Sequence, residues 1–254
     1  MARAAVPGGL TRTGAGWRAA RVVERRDETP TARTLVLEVP DWPGHLAGQH
    51  IDIRLTAADG YRAERAYSLA GPADGNRIEV TVQRVPDGEV SPYLVENLPV
   101  DVPVEIRGPV GGWFVWRPTD TAPVLLVAGG SGIVPLMAMI RARRAAGSRV
   151  PFRLIYSVRT ERDVYYADEL RRRTREDFGL DVFHVYTRET PEGWPEPARR
   201  IGVADVNSHG WPPELEPAAF VCGPTGFVEK VADILIALGH DSRRVKTERF
   251  GPTG

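Results

Sequence analysis

The sequence predicts two domains of different architecture: an antiparallel β-sandwich or barrel, then a parallel α/β domain. Three observations carry this reading. Apolar residues alternate with period two from Trp17 to about Pro118. After that point, continuous apolar strands alternate with helical patterns. Pro118, Thr119 and Pro123 cluster where the two styles meet. At about 150 residues per domain, the 254 residues suffice for one large domain or two small ones, each with a real core.

Residues 1–16 are small, polar and Gly-rich, and read as a disordered tail. In the first half, Leu35, Leu37 and Val39 alternate, as do Ile51, Ile53 and Leu55. Ile78, Val80 and Val82 repeat the pattern, then Val102, Val104 and Ile106. Turn residues separate these runs: Pro43-Gly44, Asp59-Gly60, Asp74-Gly75-Asn76 and Asp87-Gly88. Only Glu89–Asn97 looks helical there. In the second half, Val124–Ala128 is a continuous apolar strand, the pattern of a strand covered on both sheet faces. A helix follows with Leu136, Met139 and Ile140 on one side and arginines opposite. Next come strand Arg153–Val158, helix Val164–Glu176, strand Asp181–Tyr186 and strand Ala219–Cys222. A last helix presents Phe227, Val228, Val231, Ile234, Leu235 and Leu238 on one face. Strand–helix alternation of this kind builds βαβ units on a parallel sheet.

Composition removes several function classes. Lys plus Arg and Asp plus Glu balance at 33 each, so no global field draws the protein to nucleic acid or an anionic membrane. The apolar runs fall far short of the roughly 18 residues of a membrane span. The N-terminus carries no apolar leader core, so cytoplasmic residence is the expectation. Cys222 is the single cysteine, which excludes an internal disulfide, a Cys-rich zinc site and an iron–sulfur cluster. The histidines lack ligand spacing, so no metal site is expected. Lysine occurs only at Lys230 and Lys246. A GC-rich genome accounts for most of that bias, but forked guanidiniums also suit phosphate. No oligomeric state is read from the sequence.

The strongest local signal is Gly129-Gly130-Ser131-Gly132-Ile133-Val134-Pro135, which follows a buried strand and opens a helix. Glycines let a ligand approach the backbone, and the helix start offers free N–H groups to a phosphate. Pro135 suits the first helical turn. A tight βα turn without a ligand is the plainer alternative. The run is not a Walker loop, which needs Gly-Lys-Ser/Thr, nor a hydrolase elbow, which needs Gly where Ile133 stands. It also departs from GxGxxG in its glycine offsets. Further segments add to it: Arg65-Ala66-Tyr67-Ser68, Gly88-Glu89-Val90-Ser91, Cys222-Gly223-Pro224 and Glu248-Arg249-Phe250. In this order and at these separations, they make the chain from about Trp17 to Phe250 resemble the ferredoxin–NADP reductase-like flavoenzymes.

The resemblance implies a Greek-key β-barrel binding FAD over residues 17–118 and a Rossmann-like NAD(P)-binding α/β domain over 119–254, with the site in the cleft between them. Carried over position by position, it makes Arg65 the cationic fork for FAD pyrophosphate; a salt bridge with Glu64 is the alternative. Tyr67 would present its ring and hydroxyl to the flavin, or be a barrel-core tyrosine. Ser68 would hydrogen-bond flavin N5, or be an ordinary strand serine. Gly88, Glu89, Val90 and Ser91 would hold phosphate through their N–H groups and the Ser91 hydroxyl, which could equally cap the helix. This turn matches the FAD branch better than the FMN branch. Gly129, Gly130, Gly132 and Pro135 form the NAD(P) turn. Cys222 would lie beside the nicotinamide, in a positional rather than nucleophilic role, with Gly223 and Pro224 shaping the next turn; an inert buried thiol is the alternative. Glu248 is a candidate polar or proton-relay group, or a solvated edge-strand charge. Phe250 matches the terminal aromatic region that covers or neighbours the flavin. Arg159, Thr187, Arg188 and Arg200 sit where NADPH-preferring members place groups around the 2′-phosphate, so NADPH is expected over NADH.

The implied reaction is hydride transfer from NADPH to flavin N5, with reacting atoms about 3–3.5 Å apart. Electrons then pass to a separate redox protein: a ferredoxin, a flavodoxin, or a component of an oxygenase or molybdenum enzyme. Two alternatives stand beside this. One is direct reduction of free flavin or small molecules. The other is an FAD-binding, non-catalytic subunit of a larger redox complex.

Overall fold

The computed structural model describes residues 16–57 and 59–251. The tail expected over residues 1–16 therefore lies outside the described residues, apart from Gly16. The chain divides into two compact units, Met1–Val115 and Trp116–Gly254. The division falls just ahead of Pro118.

The first unit contains β1 (Trp17–Thr29), β2 (Ala32–Glu38), β3 (His50–Thr56), β4 (Arg62–Ser68), β5 (Arg77–Gln83) and β6 (Pro103–Val110). They form one antiparallel sheet in the order β4-β3-β6-β1-β2-β5. Just beyond β4, Leu69 bridges Val80 of β5, and the Ala70 N–H donates to the Glu79 carbonyl at 2.7 Å. This joins the two edge strands and closes the sheet into a barrel, which leaves few unpaired edge groups. The period-two residues fill its interior: Leu35, Leu37, Val39, Ile51, Ile53, Ile78, Val80, Val82, Val104 and Ile106 are all buried together.

The helix expected over Glu89–Asn97 is shorter. Helical backbone begins at Ser91, and its last turn, Tyr93–Asn97, is π-helical. There the Leu98 N–H donates to the Tyr93 carbonyl, five residues back, at 2.8 Å. Glu89 and Val90 instead belong to a turn held by the Ser91 hydroxyl, which accepts from the Val85 N–H at 3.0 Å. Arg25 and Arg33 both donate to the Val95 carbonyl, at 2.9 and 2.6 Å, satisfying an acceptor the short helix leaves open.

The second unit contains β7 (Val124–Gly129), α1 (Ile133–Ala145), β8 (Phe152–Val158), α2 (Ala167–Glu176), β9 (Leu180–Tyr186), α3 (Val203–His209), β10 (Ala218–Pro224), α4 (Thr225–Ala237) and β11 (Val245–Phe250). Its five strands are parallel, in the order β11-β10-β7-β8-β9. All six residues of β7, the central strand, are buried. One face of the sheet packs Leu125, Val127, Ala219 and Val221 against Val206 of α3 and Val228, Val231 and Leu235 of α4.

Three local expectations are corrected. The helix expected from Val164 starts at Ala167, because Tyr166 takes a left-handed φ of 57° that a helix cannot continue through. A separate turn, Glu161–Asp163, precedes it, with Thr160 and Asp163 forming a reciprocal cap. The arginine side of α1 is not uniformly exposed: Arg143 is buried, donating to the Val150 carbonyl and pairing with Asp177. Helix α3 was not anticipated, since seven residues give too short a window for helical periodicity.

What starts α3 is Asp205. It is 2% exposed. Its carboxylate accepts from the Gly202 N–H at 2.8 Å and from Arg199 at 2.6 Å, which holds its pKa below the usual range despite burial. Asp205→Ala should destabilise the protein by about 1–3 kcal/mol, read as a lower urea midpoint at unchanged slope.

Candidate active site

Each unit carries one cluster of the residues singled out by the sequence. In the first unit, Arg65, Tyr67 and Ser68 lie on β4. The strand period puts Arg65 and Tyr67 on the same face as buried Ala63, and Ser68 on the other. Tyr67 packs partly buried against the barrel core, which pushes its phenol pKa up. Ser68 pairs with His50 across β3. The turn Gly88–Ser91 comes to the same place from β5.

The contact that joins them is Arg65 to Glu89, at 2.9 Å. Arg65 also donates to the Glu64 carbonyl at 2.7 Å, so Glu64 contributes its backbone, and the ion pair is with Glu89. Tyr61, which the sequence did not single out, donates its hydroxyl to the other Glu89 oxygen at 2.8 Å. Beside them lies a pocket of about 410 Å³ lined by Leu55, Tyr61, Glu89, Tyr93 and Asn97 among others. Arg65 remains half-exposed, with guanidinium N–H groups free to meet an anion. The Ser91 hydroxyl secures the turn by accepting from the Val85 N–H. This donor set fits a phosphate-bearing ligand.

In the second unit, the strand order changes direction at β7, so β7 and β10 are neighbours whose connections leave to opposite sides. Open α/β sheets bind ligands at the carboxyl ends of such strands. Both glycine-bearing segments end there. A Cβ on Gly132 would stand 2.1 Å from the Cys222 carbonyl oxygen, and one on Gly223 would stand 3.2 Å from the Gly129 Cα. The two backbones therefore touch, and only glycine permits it. Phe227 closes the contact: a Cβ on Gly129 or Gly223 would meet its ring at 2.8 or 2.7 Å. Gly130, at φ +55°, has nothing within 4 Å of where a Cβ would stand, so its backbone is open to a ligand. Pro135 lies in the first turn of α1 and is buried.

β11 completes this edge. Its register pairs Cys222 with Glu248 and Pro224 with Phe250. In a parallel ladder these partners share a face, the one opposite Val221 and α4. Cys222 is buried, and burial first, then the Glu248 charge, pushes its thiol pKa up. A neutral thiol suits a positional role. Glu248 stands on an edge strand, yet it is half-buried. Its Oε2 is buried without a hydrogen-bond partner, and burial raises its pKa to about 7. A carboxyl group at that pKa can hold or release a proton at neutral pH.

The arginine group assembles at the ends of β8 and β9. The Thr187 N–H donates to the Val158 carbonyl at 2.8 Å, and the Arg188 N–H to the Arg159 carbonyl at 2.9 Å. The Arg199 N–H donates to the Tyr186 carbonyl at 2.8 Å, which brings Arg200 to the same edge. Arg159, Arg188 and Arg200 are exposed. Tyr186 meets Trp194 edge-on at 5.0 Å beside them. Sequence reading missed Phe227 and Tyr61; the signal for Phe227 was an aromatic close behind Cys222-Gly223-Pro224.

The half-buried Glu248 carboxyl group sets a pH dependence. Between pH 4.5 and about 7 the folded protein holds a proton on Glu248 that the unfolded chain releases, so stability falls as pH rises through that window. Glu248→Gln should therefore stabilise the protein by on the order of 2–3 kcal/mol at about pH 8, with little change near pH 4.5, measured by denaturant titration at both.

Comparison with known proteins matches both units. An oxidoreductase FAD-binding domain family matches residues 19–115, and an oxidoreductase NAD-binding domain family matches residues 126–233. Ferredoxin–NADP reductase B of Sorangium cellulosum is 32% identical over 242 residues, covering 91% of this chain and 96% of that protein. The ferredoxin–NAD(P)+ reductase component of the naphthalene 1,2-dioxygenase/salicylate 5-hydroxylase systems of a Ralstonia species is 31% identical over 82% of this chain. The chain spans 61% of that relative's length. Among solved structures, the flavohaem-like FAD/NAD-binding domain of nitric oxide dioxygenase from Vibrio cholerae superposes with a TM-score of 0.82 at 27% identity, covering 92% of this chain and 99% of that one. No helix among the described residues is long and apolar enough to cross a membrane. With an FAD-binding barrel and an NAD-binding α/β unit in this order, and a relative matched nearly from end to end, the chain belongs to the ferredoxin–NAD(P) reductase-like family of flavin oxidoreductases.

Proposed function

We propose that this chain oxidises NADPH and passes the electrons, through FAD, to a separate redox protein such as a ferredoxin or an oxygenase component. The observation that carries the reading is the edge formed by the Gly129–Gly132 turn, Cys222–Pro224 and Glu248, in a family member with an FAD-binding barrel. Bound FAD supplies the chemistry that protein side chains lack: it accepts a hydride and gives up electrons one at a time. Arg65 and the N–H groups of Glu89–Ser91 hold its phosphates, the Gly88 N–H expected to join them being already donated to the Val85 carbonyl at 3.0 Å; Tyr67 lies against the ring system, and Ser68 donates a hydrogen bond to it. The Gly129–Gly132 turn and the start of α1 hold the dinucleotide phosphates. Cys222, neutral and buried, fixes the position of the nicotinamide, and Glu248 holds a proton beside it. The chain's one cysteine is too few for an iron–sulfur cluster, so the electrons go to a carrier outside these 254 residues. The Sorangium and Ralstonia relatives, both named for ferredoxin, support that choice.

The edge formed by Thr187, Arg159, Arg188 and Arg200 supports NADPH over NADH. These three arginines are exposed and have no ion pair among the described residues. A 2′-phosphate would satisfy them.

The test is turnover under anaerobic conditions, with NADPH and then NADH, against ferredoxin and against free flavin. Faster turnover with NADPH and with ferredoxin is expected; a rate with free flavin that equals or exceeds the ferredoxin rate would make it a flavin reductase. Arg188→Ala should raise KM for NADPH about tenfold at low salt and leave KM for NADH nearly unchanged, since surface screening trims a charge-assisted contact to about that size. Equal losses with both cofactors would assign Arg188 to the fold.

A further inference from the structure

Arg65 and Tyr61 do not wait for an anion; both already hold one that belongs to the chain. The Glu89 carboxylate spans them, with one oxygen 2.9 Å from the Arg65 guanidinium and the other 2.8 Å from the Tyr61 hydroxyl. Both side chains of the ion pair are about half-exposed, at 53% for Arg65 and 49% for Glu89. Glu89 also belongs to the Gly88–Ser91 turn assigned above to the same phosphates, so its negative charge stands beside them. The turn does not depend on Glu89 alone. Val90 and Leu94 anchor the turn in the core, and Ser91 ties it to Val85.

We infer that the Glu89 carboxylate is an internal competitor for Arg65 that weakens FAD binding and speeds its release. The inference rests on the reading that Arg65 holds the FAD pyrophosphate. A pyrophosphate arriving at Arg65 must share or displace the carboxylate, and two anions on one guanidinium repel each other. Tyr61 sets the geometry by holding the second carboxylate oxygen, which keeps Glu89 aimed at Arg65 rather than at solvent. Backbone and side chain of Glu89 thus act in opposite senses: the N–H favours phosphate, and the carboxylate opposes it. The outcome is a flavin that exchanges with the free pool instead of staying permanently bound.

The experiment is titration of the flavin-stripped full chain with FAD and with riboflavin, followed by flavin fluorescence quenching at low and high salt. Glu89→Gln should tighten FAD about three- to tenfold at low salt, less at high salt, and leave riboflavin, which has no phosphate, unchanged. Glu89→Ala should move FAD affinity the same way, which separates charge from shape. In an Arg65→Ala background the gain from Glu89→Gln should vanish. Unchanged or weaker FAD binding by Glu89→Gln would overturn the inference, as would equal tightening of riboflavin or a gain that survives in Arg65→Ala. Unchanged FAD affinity in Arg65→Ala alone would instead sink the pyrophosphate reading on which the inference stands.

Discussion

The approach of the Gly132 backbone to the Cys222 carbonyl is the constraint on which the second unit's site depends. Two loops leave adjacent parallel strands in opposite directions, and both must turn within a few residues. Side chains at Gly129, Gly132 or Gly223 would hold them apart, since a Cβ on Gly132 would lie 2.1 Å from a carbonyl oxygen. With glycine at all three, the loops close on each other and Phe227 seals the contact. The start of α1, the Cys222 thiol and the open Gly130 backbone then fall on one edge of the sheet.

That edge recruits β11 for its chemistry. Strand pairing places Glu248 beside Cys222 because the ladder register leaves no other partner. An edge strand usually exposes its charges to water. Here Glu248 is half-buried, one carboxyl oxygen loses hydration without gaining a donor, and burial raises the pKa to about 7. Such a cost in stability is typical of groups kept for function rather than packing.

Electrostatics divides the arginines into two populations. Arg54, Arg143 and Arg199 meet carboxylates and hold strands, loops and helix starts together. Arg159, Arg188 and Arg200 meet none among the described residues and stand beyond the carboxyl ends of β8 and β9. Arg65 is intermediate, half-exposed and paired with the half-exposed Glu89 carboxylate. Net neutrality over the chain conceals this division, because a sum of charges carries no positions.

The sequence by itself determined the two architectures, most strand positions and the segments that bear chemistry. Strand periodicity needs only local information: Leu35, Leu37 and Val39 point inward because alternate side chains share a face. The glycine runs were legible because their backbone demands are local too. Local pattern was insufficient where a partner distant in sequence decides the outcome. Helix α3 exists because Asp205 caps it and Arg199 neutralises the cap. The helix after Gly88 starts late because Ser91 is drawn back to Val85. Arg65 meets Glu89 rather than its neighbour Glu64, and one Glu248 carboxyl oxygen is buried although its sequence reads as an exposed charged strand. Only the tertiary structure decided these, because hydrogen-bond partners and desolvation depend on which segments pack together, and one residue's neighbours in the chain do not specify its neighbours in space.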